Sequence, residues 1–267
     1  MKKLSLAITF ILLWVTSAYS YDIQTLGNIP LADTLTGISI NPSTNIAAAI
    51  SPETKTLYVI DMLSGAVTKK ISLDIVPSGI AIDTKTNTVI VSSADGLLHF
   101  FDLDTGNTTK TLSVKRHSAL VGIDSYRDAE SITSIHSITI SPETDVLYIG
   151  DTKGVMLMDL KTESIIKETL MPDAVTGMDI DSSSNSFFMT IKGKDGLSIY
   201  NSEILEPITE IKTGKNPSAV AVNPSTHIAV LTNNLDNSIS IISLQEKALL
   251  DTIPFNEIIP LNPPLLK

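Results

Sequence analysis

Four histidines, a recurring row of aspartates and one charged insertion are the residues of this chain with chemistry to offer. The histidines are His99, His117, His136 and His227, and no two are spaced to meet on one element. His227 fills a turn position held by Asn45 and Asn87 in other copies of the same stretch, so a turn role is read for it. Asp61, Asp102 and Asp159 recur at the ends of strand-like segments, where a ring of carboxylates could hold a cation. Asn201 and Ser243 take the same place in later copies. Both keep the ability to accept backbone amides and lose the charge, which points to turn chemistry. No Gly-rich phosphate loop, Gly-x-Ser-x-Gly elbow or Ser–His–Asp set stands out. Asp124, Asp128 and Glu130 do not form an EF-hand-like loop. No catalytic residue, metal ligand or cofactor is therefore assigned. The candidates for partner binding are Arg116, His117, Tyr126 and Arg127, which bunch within 115–133, and His136 just after them.

What must position these residues is a repeat. TGISINPSTN (36–45) returns as SGIAIDTKTN (78–87), HSITISPETD (136–145), TGMDIDSSSN (176–185) and SAVAVNPSTH (218–227). Each copy opens with apolar residues at every second position, such as Ile38 and Ile40 or Ile80 and Ile82. That period marks a strand with one buried face. Small or polar residues lie between them (Ser39, Ala81, Thr139, Asp179, Ala221), as expected where strands converge. A turn follows, opened by Asn, Asp or Ser, which can bond their own backbone. It is closed by Asn, Asp or His, types enriched at positive φ. Two further apolar strands and a more polar fourth complete each copy.

Measured between turn-opening residues, the copies lie 42 (41 to 83), 58 (83 to 141), 40 (141 to 181) and 42 (181 to 223) residues apart. Four short strands per roughly 40 residues is the signature of a propeller blade. The 58-residue spacing holds the 115–133 insertion. An all-β fold follows, a β-propeller of four-stranded antiparallel blades over 36–255. Five blades are favoured, with six as the alternative if the lead-in (21–35), the insertion and the Pro-rich tail (256–267) combine into a degenerate one. In the five-bladed reading, Ile23–Leu26 pairs with the last blade, and the tail lacks regular structure.

The first twenty residues read as a secretory signal peptide. Lys2-Lys3 precede the apolar run LSLAITFILLWV, and Ala18-Tyr19-Ser20 offers a cleavage site before Tyr21. The apolar run is short for a membrane span, which needs about 20 residues. No transmembrane segment is expected after cleavage, and the mature protein is expected in the periplasm or outside the cell. The absence of cysteine removes disulfides, thiolate metal sites and a cysteine nucleophile. With 19 basic against 29 acidic residues the net charge is −10. That balance argues against nucleic-acid partners, whose binding rests on Lys and Arg neutralising phosphates.

The last copy, NPSAVAVNPSTHIAVLTNNLDNSISIISL (216–244), follows the pattern P-x-x-(V/I)-A-V-N-P-x-T-N…V-x-N…N-(S/T)-(V/I)-S-V-I-D nearly throughout, with His227 for Asn and Ser243 for Asp. Residues 36–253 thereby resemble the YVTN-type β-propeller repeats of extracytoplasmic bacterial and archaeal proteins. The resemblance implies an exported ring of blades. The function expected is a monomeric, non-catalytic binding scaffold for a protein or an envelope polysaccharide. The alternative is a lactonase- or lyase-like enzyme at the channel mouth, which would need His136 to converge with carboxylates of other blades.

Overall fold

The computed structural model describes residues 8–14, 22–29, 33–116, 130–131, 134–255 and 259–260. Two strands precede the repeats, β1 (Ile8–Trp14) and β2 (Asp22–Ile29). The first blade is β3 (Gly37–Asn41), β4 (Ile46–Ser51), β5 (Thr56–Asp61) and β6 (Ala66–Ser72). The second is β7 (Pro77–Asp83), β8 (Thr88–Ser93), β9 (Leu97–Asp102) and β10 (Thr108–Ser113). A short hairpin of β11 (Lys115–Arg116) and β12 (Glu130–Ser131) follows. The third blade is β13 (Ile135–Ser141), β14 (Val146–Asp151), β15 (Gly154–Asp159) and β16 (Ser164–Leu170). The fourth is β17 (Val175–Asp181), β18 (Ser186–Ile191), β19 (Gly196–Asn201) and β20 (Pro207–Lys212). The fifth is β21 (Pro217–Asn223), β22 (Ile228–Asn233), β23 (Ser238–Ser243) and β24 (Ala248–Pro254). Each blade is an antiparallel sheet in chain order, so the chain is a five-bladed β-propeller.

The turns form by the chemistry their residues carry. The side chains of Asn41, Asp83, Asp181 and Asn223 each accept the backbone N–H two residues on, at 3.0–3.1 Å. The closing residues Asn45, Asn87, Asp145, Asn185 and His227 all hold φ between 50 and 57°. Asp61, Asp102 and Asp159 accept backbone amides of the turn after the third strand at 2.7–2.8 Å. Asn201 and Ser243 do the same at 3.0 Å. Those amides hold the three carboxyls below their ordinary range, as hydrogen bonds to the charged form must. The row of aspartates belongs to turns.

The core is a series of layers between consecutive blades. Ile80 and Ile82 of β7 pack onto Ala48, Ile50, Leu57 and Val59 of the first blade. Ile138 and Ile140 pack onto the second blade beside Ile90, Leu98 and Phe100. Met178 meets Tyr148, Val155 and Leu157, where Tyr148 also stacks on Phe187 at 4.8 Å between ring centroids. The Ile-x-Ile pairs of the second and third blades, and Met178 in the fourth, thus insert into the face of the blade before them.

Glycine makes the room. The second residue of the sequence copy is Gly37, Gly79 or Gly177, and each lies against the next blade. A Cβ on Gly177 would stand 2.8 Å from Ala219 Cα and Ser218 O. The third blade has Ser137 there, but its cross-strand partner is Gly150, where a Cβ would meet Met178 and Val175 at 3.0–3.1 Å. In the fifth blade the pair is Ala219 and Thr232, with no glycine.

The seam between the fifth and first blades is built differently. The innermost strands adjoin along β3–β7, β7–β13, β13–β17 and β17–β21, but β21 and β3 do not meet in that way. Ile38 and Ile40 are 44% and 42% exposed, against 7% and 6% for Ile80 and Ile82. Ala219 and Ala221 on β21 are exposed too. The expected pairing of the lead-in with the last blade is not found, because 248–254 already supplies that blade's fourth strand. Instead β2 pairs antiparallel with β1 and parallel with β25 (Ile259–Pro260). The stretch read as a leader core and part of the tail therefore both join one small sheet with the lead-in. Ile29, at the end of β2, is buried with Leu35, Ala47, Ala49, Tyr58 and Ile60 on the free face of the first blade.

Candidate functional site

The five innermost strands run in one direction, so the first residues of the five sequence copies, at or beside the strand starts, gather at one end of the ring. Those residues are Thr36, Ser78, His136, Thr176 and Ser218. The register shifts around four of them, between residues 77 and 79, 135 and 137, 175 and 177, and 217 and 219. A bulge of this kind turns one side chain out of the ladder.

Three of the bulged residues spend that freedom alike. Ser78 bonds Ser92 at 3.0 Å, Thr176 bonds Thr190 at 2.9 Å and Ser218 bonds Thr232 at 3.1 Å, hydroxyl to hydroxyl. Ser218 also donates to Asn234 Oδ1 at 2.9 Å. In the third blade the bulged residue is His136, and the hydroxyl's place on the second strand is taken by Gly150. His136 is half-buried. It separates this blade from the second, fourth and fifth, where the hydroxyls are paired, and it stands five residues after β12.

The ends of the insertion are fixed. Lys115 pairs with Ser131 and Arg116 with Glu130 across the β11–β12 hairpin. Arg116 and His136 are thus both carried at this end of the ring. His117, Tyr126 and Arg127 lie outside the described residues. Among the described residues no group of three or more His, Asp or Glu could hold a metal ion. His99 is a packing residue on the third strand of the second blade. Its Nδ1 lies 3.2 Å from the Thr111 hydroxyl, and burial lowers its pKa.

One residue without a role in the sequence reading is prominent here. Asp179, midway along β17, accepts Val222 N–H at 2.7 Å and Ile180 N–H at 2.8 Å, and the Thr139 hydroxyl donates to it. It ties the fourth blade to the fifth, as Ser39 ties the first to the second by accepting Ile82 N–H at 3.0 Å. Asp179 keeps some surface open, but protein encloses its carboxyl so closely that desolvation dominates. Burial, aided by the nearby Asp181 charge, pushes its pKa up to about 6. The signal in the sequence was a lone charged residue at a position otherwise held by Ser, Ala or Thr.

No protein-family model matches the chain, and no curated protein matches it. Among solved structures, the chain is similar to one from the crystal structure of a nidogen/laminin complex. The TM-score is 0.72 at 15% sequence identity, covering 92% of this chain and 89% of that one. What the two share is the propeller fold.

Proposed function

We propose that the protein is an exported, non-catalytic β-propeller of the YVTN-like kind, acting in the periplasm or outside the cell. It displays one end of its ring to a partner protein of the envelope. The observation that carries this reading is the break in the hydroxyl row. Four copies begin with a hydroxyl residue, Thr36, Ser78, Thr176 or Ser218, and the last three of those hydroxyls are paired across the blade. The third copy replaces it with an imidazole three residues after the charged, non-repeating 115–133 insertion. A long irregular loop on a stiff ring is a common recognition device. The acidic balance of the chain suits a basic or neutral partner surface better than a polyphosphate.

The test shortens the loop where the structure allows it. Replacing residues 117–129 by Asn-Gly closes the Arg116–Glu130 pair into a two-residue hairpin. In this reading the blades keep their stability to within about 0.5 kcal/mol of the parent. Cross-linking in the native envelope should then lose the protein adduct formed by the parent. An unchanged adduct would refute the reading, and a polysaccharide adduct in its place would change the partner class. His136→Ala keeps the loop and removes the imidazole. Partner affinity should fall about tenfold, worth about 1.4 kcal/mol, with unfolding little changed.

A further inference from the structure

The seam between the fifth and first blades carries an inference that rests on the export reading above. The small sheet has the order β1–β2–β25. It is tied to both blades that flank the seam. β2 ends at Ile29, buried on the first blade, and β25 begins five residues after β24 of the fifth. Its outer strand, β1, consists of residues 8–14, ITFILLW, which fall inside the leader. Six residue pairs align β1 on β2, among them Leu12 with Gln24 and Leu13 with Ile23. Cleavage before Tyr21 removes β1 whole and leaves the long edge of β2 without its partner.

We propose that this vacated edge is a docking slot for an extended, apolar strand of a partner protein, added antiparallel to residues 22–29. The occupant's chemistry is given by the segment the fold accepts there, seven residues of which only Thr9 is polar. Backbone hydrogen bonds supply the affinity of such strand addition and alternate side chains the selectivity. The surroundings agree. Ile38 and Ile40 have no preceding blade to enter and remain exposed even with β1 in place. The Ala219–Thr232 pair lacks the glycine that admits a following blade, so the seam does not close by direct contact of the two innermost strands. An unpaired strand edge beside exposed isoleucines is a template for a further strand.

The absence of cysteine makes register readable by disulfide trapping. The full coding chain bearing Gln24→Cys is expressed, and the exported product is purified and weighed intact. Its thermal unfolding is compared with that of the parent, and the same measurements are made on an Ile23→Cys chain. Each is incubated with a Lys-flanked ITFILLW peptide carrying cysteine in place of Leu12, Leu13 or Thr9. A product that begins at Tyr21 and cross-links Leu12→Cys to Gln24→Cys, or Leu13→Cys to Ile23→Cys, at least tenfold faster than Thr9→Cys to either, supports the slot. Equal rates, or no adduct, with a product beginning at Tyr21 overturn the slot alone. A product that retains residues 1–20 overturns both the slot and the cleavage on which it rests. The two failures are told apart by mass before any peptide is added.

Discussion

Gly177→Val should cost about 3 kcal/mol or more of folding stability, while Ala219→Val, the same side chain at the equivalent position one blade later, should cost less than about 0.5 kcal/mol. The two residues are the third of β17 and of β21. A Cβ at 177 would lie 2.8 Å from Ala219 Cα and Ser218 O and 2.9 Å from Thr190 Oγ1. Two of those three neighbours are backbone of the adjoining innermost strand, which cannot swing aside as a flexible side chain could. Overpacking a tight interior costs typically about 1–3 kcal/mol, and a clash with backbone lies at the upper end or beyond. Ala219 already carries a Cβ and is exposed, because no innermost strand crosses it. Surface substitutions of this kind stay within about 0.5 kcal/mol. Urea unfolding of the two variants checks the claim. Equal losses would mean that the fifth–first seam is packed like the others, and the slot inferred above would have no space.

The same pair of residues shows how far the sequence could be read. The strands with apolar residues at every second position, the Asn, Asp and His residues at positive φ, and the Asp, Asn and Ser residues that end the third strand are local consequences of pleat and turn chemistry. Each recurs in every copy, so an internal alignment exposes it. The glycine rule was equally present, since the copies begin TG, SG, HS, TG and SA. Its meaning needed the cross-strand partners, because only Gly150 explains how Ser137 escapes the rule. The pairing of 22–29 with 8–14 and 259–260 was not legible. The contact with 259–260 joins residues 235 positions apart, as Gln24 with Ile259, and no periodicity records either contact. A lead-in strand could be foreseen from the likeness of Ile23–Leu26 to the fourth strands of the later copies, but the edge it would choose could not.

The candidate site divides along the same line. His136 was visible as a substitution in an aligned column, and its bulge follows from its place at the start of a strand. That Ser78, Thr176 and Ser218 each pair with a hydroxyl on the second strand needs three dimensions. Only then does His136, in a blade with Gly150 where those three have a hydroxyl, stand apart from them. Asp179 was hidden for a different reason. Among Ser, Ala and Thr it passes as one more small polar residue, and its carboxyl becomes unusual only when Val222 and Thr139 close over it.

Asp179→Asn should make the protein more stable at pH 7, by up to about 3 kcal/mol, and should remove a pH dependence between about 4 and 6. The carboxyl's pKa rises from its ordinary 3.8 to about 6 in the folded ring, mainly through burial. Folding therefore favours the protonated acid. Its contribution is fully present below about pH 4, where both states are protonated, and is lost as pH rises through about 6. Above that, the folded state carries a charge it solvates poorly. A difference of about two units corresponds to about 3 kcal/mol. Asparagine fills nearly the same volume, and its Oδ1 can still accept Val222 N–H without titrating. The turn carboxylates Asp61, Asp102 and Asp159 act in the opposite sense, losing stability as pH falls below 4, but they are common to both proteins. The stability difference between parent and variant isolates Asp179. Urea unfolding at half-unit steps from pH 4 to 8 should show that difference near its minimum at pH 4, growing through pH 6 and flat above 7. Parallel curves would mean that Val222, Ile180 and Thr139 solvate the charge as well as water does, and that the carboxylate at this seam is no burden to the fold.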